Sequence, residues 1–387
     1  MESTITVTPR GEERVRSGHF WVYKADVSGG PADAGAVVRV AAPGGRFLAR
    51  AFYSDRSQIT LRILTRQDEP VDRRFWRARL EQAISFRDRL DIDATAFRLL
   101  HGEGDLVPSL VVDRYGDYLS LQALSQGSDR LLPEMTSLLA ELLQPKGIIA
   151  RNDPRVRLLE GLDQHVAVLD GAIPDTVSIR EGRIEYDVDL RHGQKTGAFL
   201  DQRENRIAAA QYVRGRALDC FSYAGGFALQ LAPHAAELTA LDISEEATAL
   251  LARNAARNAL TNVHVRTTNV FDELRTLERM GERFDAVVLD PPAFAKSKAA
   301  IPKAISGYKE INLRALKLLN PGGFLITCSC SYHVSEAMFA EVIFDAALDA
   351  RTDVSVVEKR MQSRDHPVVL GMPETYYLKC FILRKLA

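Results

Sequence analysis

Two runs in the second half of the chain carry side chains that could take part in covalent chemistry. Cys328 and Cys330 lie in one run, and Asp290, followed by Pro291 and Pro292, lies in the other. A Cys-x-Cys pair could bind zinc, but no second pair lies near enough for a four-ligand site, so we expect no metal. Side chains alternate along a strand, so both thiols point to one side, and only Cys330 reaches the exposed carboxyl tip. A thiolate there could act as a nucleophile, and an inert core cysteine is the alternative.

The acid Asp290 ends a predicted buried strand and precedes a stiff loop. Pro291 and Pro292 lack backbone N–H donors and restrict the chain. Phe294 follows them. This pattern suits a carboxylate held against a flat heterocycle, with an aromatic ring available for stacking. The alternative interpretation is that the two prolines only terminate the strand.

A glycine-containing run has the pattern of a ligand-binding turn between a strand and a helix. Asp219 ends the predicted strand, and Gly225 and Gly226 allow a sharp turn and a close approach to a ligand. Asp242 ends the next strand, where a carboxylate can accept hydrogen bonds from both ribose hydroxyls. Asn269, after the third strand, could meet an adenine amino group. Each residue alone is typical of a turn or a cap, but their register at three strand ends favours a nucleotide-like ligand. The glycine spacing is not that of the dinucleotide motif.

A turn-rich segment precedes the predicted sheet and leads into a helix. Asp201 and Glu204 have the spacing of a capping box, which predicts Asp201 as the N-cap residue. Three side chains of this segment could reach a bound cofactor: Gln194, Phe199 and Arg203. On the pattern alone, a helix start without a further role is an equally good interpretation.

The composition is that of an ordinary soluble globular protein, with 387 residues, 46% hydrophobic and 26% charged. No uninterrupted apolar run approaches the roughly 18 residues of a membrane span, and the N-terminal residues lack the apolar core of a secretory signal. Four cysteines in a chain of this length favour a reduced, cytoplasmic setting over a disulfide framework. The formal net charge of −1 excludes a polycation but leaves room for a local basic surface.

Three stretches of the chain differ in pattern. Residues 1–72 show the alternating runs and tight turns of a small all-β domain, and residues 73–186 favour an α+β middle domain that closes with a hairpin at 178–186. Residues 187–387 alternate strands with helices, which predicts a doubly wound parallel sheet of the α/β class. The predicted strands are Ala217–Phe221, Glu237–Ile243, Val263–Thr267, Phe284–Asp290 and Gly323–Cys330. The predicted helices are Phe227–Ala232, Glu245–Ala259, Glu273–Met280 and Ala304–Leu319. Pro-Gly-Gly at 321–323 predicts a helix stop before the last strand.

Together these motifs resemble class I S-adenosylmethionine-dependent RNA methyltransferases, in particular the bacterial ribosomal RNA cytosine-C5 methyltransferase family with an N-terminal PUA RNA-binding domain. The resemblance spans nearly the whole chain and implies a Rossmann-like methyltransferase domain. The segments similar to the PUA signature are Gly18–Tyr23 and Phe47–Ile59. Those similar to the middle domain of the family are Pro108–Asp117 and Ile149–Arg157. The methyltransferase motifs are matched by Gln194–Arg203, Asp219–Phe227, Asp242, Asn269, Asp290–Pro292 and Cys330.

The resemblance implies S-adenosyl-L-methionine as the cofactor and an RNA, in particular large-subunit ribosomal RNA, as the substrate. Cys330 and Asp290 match the catalytic residues. The thiolate would add to C6 of a cytosine, Asp290 would hydrogen-bond N3 and the exocyclic amine, and C5 would take the methyl group. Loss of the C5 proton would then expel the cysteine and leave 5-methylcytosine. Related enzymes place this cysteine seven residues after a Gly-Gly pair, and Gly323 and Cys330 have that spacing.

The resemblance carries further positions and two departures. The implied cofactor-binding residues are Gln194, Phe199, Arg203, Asp219, Phe221, Ser222, Tyr223, Gly225, Asp242, Ile243, Asn269, Val270 and Asp290. The implied substrate-binding residues are Pro291, Pro292 and Phe294. Relatives with a PUA domain also suggest a homodimer. Ala293 occupies the slot where many such enzymes have a second cysteine, so the base that removes the C5 proton is unassigned. Phe20 stands where a proline is common.

Two alternative functions stay open. An exocyclic-amine methyltransferase acting on adenine or guanine also uses an acid or amide followed by two prolines and an aromatic residue, and it needs no cysteine. A non-catalytic RNA-binding scaffold could keep the cofactor fold, although the glycines, Asp242 and the thiols argue against it. Activity after Cys330→Ala tests the first alternative, and titration with S-adenosylmethionine tests the second.

Overall fold

The computed structural model describes residues 3–295 and 297–386. Its strands are β1 Thr4–Val7, β2 Trp21–Tyr23, β3 Val27–Gly29, β4 Val37–Ala41, β5 Phe47–Tyr53, β6 Ile59–Thr65, β7 Ala96–His101, β8 Leu110–Tyr115, β9 Tyr118–Ala123, β10 Gly147–Asn152, β11 His165–Gly171, β12 Val177–Glu181, β13 Ile184–Val188, β14 Arg216–Cys220, β15 Glu237–Asp242, β16 Val263–Thr267, β17 Phe284–Leu289, β18 Leu319–Ser329, β19 Val354–Arg360 and β20 Lys379–Lys385. Its α-helices are α1 Pro9–Arg16, α2 Arg73–Asp88, α3 Gln126–Leu143, α4 Val156–Leu159, α5 Arg203–Ala210, α6 Gly226–Leu231, α7 Glu245–Arg257, α8 Val270–Arg279, α9 Ile301–Leu318 and α10 Glu336–Ala350.

The chain forms two compact units. The first unit comprises Met1–Ile179, Val188–Leu200 and Arg364–Thr375. The second unit comprises Arg180–Asp187, Asp201–Ser363 and Tyr376–Ala387. The division of the chain at residues 72 and 186 stays a prediction.

The first unit contains two sheets. A six-stranded sheet has the order β2-β6-β5-β4-β1-β3, and a five-stranded sheet has the order β11-β10-β9-β8-β7. Helices α2 and α3 pack on the five-stranded sheet through buried residues such as Trp76, Leu80 and Leu138, which confirms the predicted α+β region. The N-terminal region is not purely β, because Thr8 caps α1 by accepting a hydrogen bond from the Gly11 N–H and Pro9 starts that helix.

The second unit contains a seven-stranded sheet in the order β16-β15-β14-β17-β18-β20-β19. Strands β14 to β18 pair in parallel, and β20 runs antiparallel to β18. Alternate residues of the central strands enter two different cores: Leu218 and Val287 join the cluster with α8 to α10, whereas Ala217 and Ala286 join the cluster with α5 and α6. Helices therefore cover both faces, and the predicted doubly wound α/β fold is confirmed.

The Pro-Gly-Gly segment lies inside a strand rather than before one. Helix α9 ends at Leu318 and β18 begins at Leu319. The pairing with β17 passes from Phe284 with Leu319 to Ala286 with Phe324, so residues 320–323 form an irregularity in the strand. Gly322 has a φ of +80° there, a conformation that glycine adopts without strain.

No helix among residues 3–295 and 297–386 combines the length and apolar character needed to cross a bilayer.

Candidate active site

The carboxyl ends of the central parallel strands bring most of the predicted site residues to one edge of the second unit. The register places Cys220 of β14 beside Leu241 of β15 and Leu289 of β17, and Leu289 beside Thr327 of β18. From β14 the chain adds β15 and β16 on one side of the sheet and then β17 and β18 on the other side. Open α/β sheets bind ligands beyond the strand ends at such a switch point. The predicted residues that follow these strand ends are Phe221, Ser222, Tyr223, Gly225, Ile243, Asn269, Val270, Asp290, Pro291, Pro292, Phe294 and Cys330.

The loop after β14 has an unusual backbone. Phe221 and Tyr223 have φ values of +64° and +47°, which are uncommon for residues with a Cβ. Gly225 caps α6 with a φ of +95°, and a Cβ there would lie 2.9 Å from Leu251 Cγ. Gly226 has a different reason to be glycine, because a Cβ would lie 2.8 Å from Nε of the buried Arg206. Positive φ values at residues with a Cβ are strained and cluster at ligand-binding segments, so this loop is a candidate for close backbone contact with a ligand.

Asp219 lies beneath this loop and is 1% exposed. Its Oδ2 accepts a hydrogen bond from the Ala228 N–H at 2.9 Å, whereas its Oδ1 has no hydrogen-bond partner among the described residues. Burial raises the pKa of Asp219 to about 8, and the negative charge of Asp290 adds to this effect. The unpartnered acceptor fits a ligand that brings a donor, such as the amino group of an amino-acid moiety.

Asp219→Asn tests how much this buried carboxyl group lowers the free energy of unfolding. The folded state holds the Asp219 proton up to about pH 8 and the unfolded state releases it near pH 4, so stability falls as the pH rises between these values. We expect the stability of the variant to lose this dependence on pH. At pH 8 its free energy of unfolding should exceed that of the wild type by at least about 1 kcal/mol. Urea unfolding of the ligand-free protein at pH 5 and pH 8 measures the difference. The exposed Asp272 supplies the control, Asp272→Asn, and equal slopes for wild type and Asp219→Asn would contradict the assignment.

Asp242 is fixed by the backbone of two loops. Its Oδ2 accepts from the Tyr223 N–H at 2.8 Å, and its Oδ1 accepts from the Ser244 N–H at 2.9 Å. Each carboxylate oxygen has more than one acceptor site, so the group can still accept from a pair of hydroxyls. Ile243, the next residue, is 70% exposed, which suits packing against a flat ring. The geometry is compatible with the ribose and base positions predicted from the sequence.

Asn269 has the ordinary role that the sequence left open. Its Oδ1 accepts from the Phe271 and Asp272 N–H groups and caps α8. Val270 is the buried first residue of that helix, and the cap explains why α8 begins three residues earlier than the predicted Glu273. A contact of Asn269 or Val270 with adenine stays a prediction.

Asp290 is held by a buried amide that the sequence did not single out. Gln202 Nε2 donates to Asp290 Oδ1 at 2.8 Å, and Asn205 Nδ2 donates to Gln202 Oε1 at 2.6 Å. Both amide residues are buried. The only sequence signal was their place in the turn-rich segment that also contains Arg203, which is itself buried. This relay fixes the orientation of the carboxyl group at the end of β17.

The predicted capping box is wrong. Gln202, not Asp201, is the N-cap residue of α5. Asp201 Oδ2 accepts from the Tyr377 hydroxyl at 2.9 Å, and the Glu204 N–H donates to Ser363 Oγ at 3.1 Å. A side chain 159 residues away in sequence therefore replaces the local cap.

The two thiols of the Cys-x-Cys run have different surroundings. Cys330 follows the end of β18, is half-buried, and places its Sγ 3.8 Å from the Pro291 carbonyl oxygen. Cys328 is fully buried and pairs with Cys380 across the β18–β20 ladder. Burial raises the pKa of the Cys328 thiol well above its usual range, so this sulfur is poorly suited to act as a nucleophile. Cys330 therefore lies next to the loop that begins with Asp290, and its role as a nucleophile stays a prediction.

Hydroxyl groups on both sides of Cys330 tie this segment to α9 and to the proline loop. The Ser329 Oγ donates to the Tyr308 hydroxyl at 3.0 Å, and the Tyr308 hydroxyl lies 3.0 Å from Ser331 Oγ. Ser331 Oγ also accepts from the Ala295 N–H at 3.1 Å. The Cys330 backbone is thereby held against the loop that carries Asp290. We call this the serine–tyrosine brace (Tyr308, Ser329, Ser331).

The aromatic residue of the proline loop packs within the protein. The Phe294 ring lies 4.7 Å from the Tyr308 ring and 6.0 Å from the Phe271 ring, measured between centroids. Pro291 is buried and Pro292 is exposed. Stacking of Phe294 on a substrate base stays a prediction.

Two predicted cofactor residues, Gln194 and Phe199, belong to the first unit. Their segment is held there by buried groups. Tyr115 lies 3.0 Å from Thr196 through the two hydroxyl oxygens and accepts from the Ala198 N–H at 3.0 Å. The roles of Gln194, Phe199 and Arg203 in cofactor binding stay predictions.

Comparison with known proteins shows which family the chain belongs to. Residues 126–370, more than half of the chain, match the model of the S-adenosylmethionine-dependent methyltransferase family, and residues 5–66 match that of a PUA-like domain. The chain belongs to the S-adenosylmethionine-dependent methyltransferase family. The cofactor of this methyltransferase is therefore S-adenosylmethionine, as the motifs implied.

Curated relatives span the whole methyltransferase. It is 40% identical to the ribosomal RNA large subunit methyltransferase I of Tolumonas auensis over 99% of this chain and 100% of the relative. It is 39% identical to the protein of the same name from Vibrio cholerae, over 100% of both chains. Two solved structures share the fold. A methyltransferase in complex with SAH is 21% identical in sequence, with a TM-score of 0.86 over 99% of this chain and 100% of that chain. A SAM-dependent methyltransferase from Streptococcus mutans is 20% identical, with a TM-score of 0.85 over 99% of this chain and 100% of that chain.

The described residues fit this cofactor. The buried Asp219 Oδ1 without a partner can accept from its amino group, and the fixed Asp242 carboxylate can accept from ribose hydroxyls. The strained loop from Phe221 to Gly225 follows Asp219 in the chain and is tied to Asp242 through the Tyr223 N–H. When bound, S-adenosylmethionine supplies an electrophilic methyl group.

Proposed function

We propose that this methyltransferase forms 5-methylcytosine in large-subunit ribosomal RNA through a covalent bond between Cys330 and the cytosine. The observation that carries the proposal is the placement of Cys330 Sγ 3.8 Å from the carbonyl oxygen of Pro291, the residue after Asp290. A sulfur nucleophile and a carboxyl group thus stand on neighbouring strand tips. Addition of sulfur to C6 of a pyrimidine, with an acid at N3, is the chemistry that such a pair supports.

The chain's own residues account for the steps at the base. The Cys330 thiolate adds to C6, so the S–C6 bond forms and electron density moves towards C5 and N3. Gln202 Nε2 orients Asp290 through a hydrogen bond of 2.8 Å. Asp290 donates a hydrogen bond to N3 and accepts a hydrogen bond from the exocyclic amine. After C5 has taken the methyl group, loss of the C5 proton restores the double bond and the S–C6 bond breaks. The group that takes the C5 proton is not assigned.

An RNA substrate is supported by the domain composition and by the relatives. Residues 5–66 match a PUA-like domain, and the curated relatives that span the chain are named ribosomal RNA large subunit methyltransferase I. A base in folded RNA must be splayed from its stack to reach a nucleophile at the sheet edge. A ribosomal substrate implies action in the cytoplasm. The homodimer stays a prediction.

The proposal is tested by mapping modified nucleotides in ribosomal RNA from a strain that lacks this gene. We expect one cytosine of the large-subunit RNA to lose its 5-methyl group, and expect the wild-type gene, but not one encoding Cys330→Ala, to restore it. Bisulfite sequencing together with mass spectrometry of RNA fragments identifies the base and the methylated atom. Loss of a methyl group from an adenine or guanine amine instead would favour the exocyclic-amine alternative and overturn the proposal.

A further inference from the structure

A buried lysine lies beside the Cys330 segment and has no role in the chemistry described so far. Lys379 is the first residue of β20, is 1% exposed, and pairs with Ser329 in the β18–β20 ladder. Its Nζ donates to the Ser331 carbonyl at 2.8 Å and to the Tyr377 carbonyl at 3.0 Å. Within residues 3–295 and 297–386 the third N–H of the ammonium has no acceptor.

A buried ammonium lowers stability unless a negative charge compensates it. Two acidic groups interact electrostatically with Lys379: Cys330 and Glu336. Glu336 already accepts from Lys359 Nζ at 2.9 Å and from the Tyr376 hydroxyl at 2.8 Å. The ammonium is anchored on the carbonyl of Ser331, the residue directly after Cys330, so it stays beside the Cys330 segment whatever the state of Glu336.

We propose that Lys379 is a positioning residue whose ammonium stabilises the thiolate form of Cys330. The Cys330 thiol proton leaves to solvent, the electron pair stays on the sulfur, and Lys379 keeps its own proton. The inference rests on the proposed function only for its relevance to methyl transfer, since the stabilisation of the sulfur is independent of RNA. It gives the nucleophile a cationic neighbour, one of the settings that lower the pKa of a cysteine.

The pH range of this effect follows from the surroundings. Burial lowers the pKa of Lys379 to about 8, while the charges of Cys330 and Glu336 oppose the shift. The ammonium is therefore present at neutral pH and is lost as the pH rises above about 8. The other titratable groups of this segment and of the elements beside it are Cys328, Tyr332 and His333 in the same run, Asp290 after β17, Tyr308 on α9, Glu336 on α10, and Tyr376 and Cys380 on either side of Lys379. Of these, the Glu336 carboxylate already pairs with Lys359, so removal of Lys379 takes away the cation that is anchored next to Cys330.

The test is the rate at which iodoacetamide alkylates Cys330 in the full-length protein, followed by peptide mass spectrometry from pH 5.5 to 9.5. At pH 7 we expect Lys379→Met and Lys379→Gln to alkylate about 10-fold more slowly than the wild type, the effect of about one pKa unit in the thiol. Lys379→Arg should keep most of the wild-type rate. Met replaces a buried charge by an apolar group, a change that proteins often tolerate, and Gln keeps a donor, so a folding defect in one variant leaves the other informative.

Each outcome separates the two proposals. Identical pH profiles for the wild type and both neutral variants overturn the role of Lys379, even if Cys330→Ala is inactive. A slower, right-shifted profile in the neutral variants supports the role, even if Cys330→Ala methylates RNA normally, in which case only the proposed function fails. If Lys379→Arg reacts as slowly as Lys379→Met, the positive charge is not what matters and the inference is overturned.

Discussion

Cys330→Ala protein will bind S-adenosylmethionine as the wild type does and will fail to methylate RNA, with kcat reduced by at least about 10³-fold. The sulfur is the only group that the proposal allows to attack C6, and without this attack C5 of cytosine is not nucleophilic enough to take a methyl group. Cys330 lies beyond the last residue of β18 and is half-buried, so removing its sulfur leaves the sheet core intact. Methyl transfer from labelled cofactor to ribosomal RNA from the deletion strain measures kcat, and calorimetry measures cofactor affinity.

The matched control is Cys328→Ala, two residues earlier in the same run. Cys328 is fully buried opposite Cys380, so its loss should lower stability by about 1 kcal/mol and leave kcat within a few fold of the wild type. Full activity of Cys330→Ala would exclude the covalent route and favour methylation of an exocyclic amine, which requires no thiol. Inactivity of Cys328→Ala with normal activity of Cys330→Ala would show that the wrong sulfur was assigned.

Asp290→Asn will lower kcat by about 10² to 10³-fold. An asparagine can still accept the hydrogen bond from Gln202 Nε2 that Asp290 Oδ1 receives at 2.8 Å, so the side chain keeps its place. It cannot place a carboxyl group against N3 while accepting from the exocyclic amine, and charge that develops on the ring is left unstabilised. The same methyl-transfer assay measures the effect.

Asp285→Asn is the control for this second prediction. Asp285 lies on the same strand, near its other end, where its Oδ2 accepts from the Arg216 N–H at 2.8 Å. Its substitution changes a carboxylate of β17 without touching the site, so activity should stay close to that of the wild type. If Asp290→Asn and Asp285→Asn have equal kcat values, Asp290 has no part in the chemical step.

What the sequence could predict was mainly local. Strand ends, the glycine turn and the acid before two prolines are encoded within a few residues, and the sheet, its helices and the carboxyl edge followed from them. Thr8 and Pro9 are a local start signal for α1, so this helix too is encoded within a few residues. The Pro-Gly-Gly segment was misplaced because Leu319 pairs with Phe284 before the irregularity, and only the partner strand reveals that pairing.

The supporting contacts could not be predicted, because they join distant parts of the chain. The Glu204 N–H finds its acceptor in Ser363, and Gln202 reaches Asp290, 88 residues away. Lys379 and Cys330 become neighbours only because β20 runs antiparallel beside β18. Such contacts depend on tertiary packing. Neither the hydrophobic periodicity of the sequence nor the spacing of its motifs indicates them.

The serine–tyrosine brace has a consequence for inhibitors. Because Ser329 and Ser331 are both tied to Tyr308 and Ser331 also receives the Ala295 N–H, the segment that carries the thiol cannot swing out to meet an ill-fitting electrophile. A covalent drug aimed at Cys330 would have to bring its reactive carbon to the sulfur along the path of the proposed pyrimidine substrate. Selectivity over the thiols of other proteins would then come from the shape of the molecule rather than from the reactivity of its warhead.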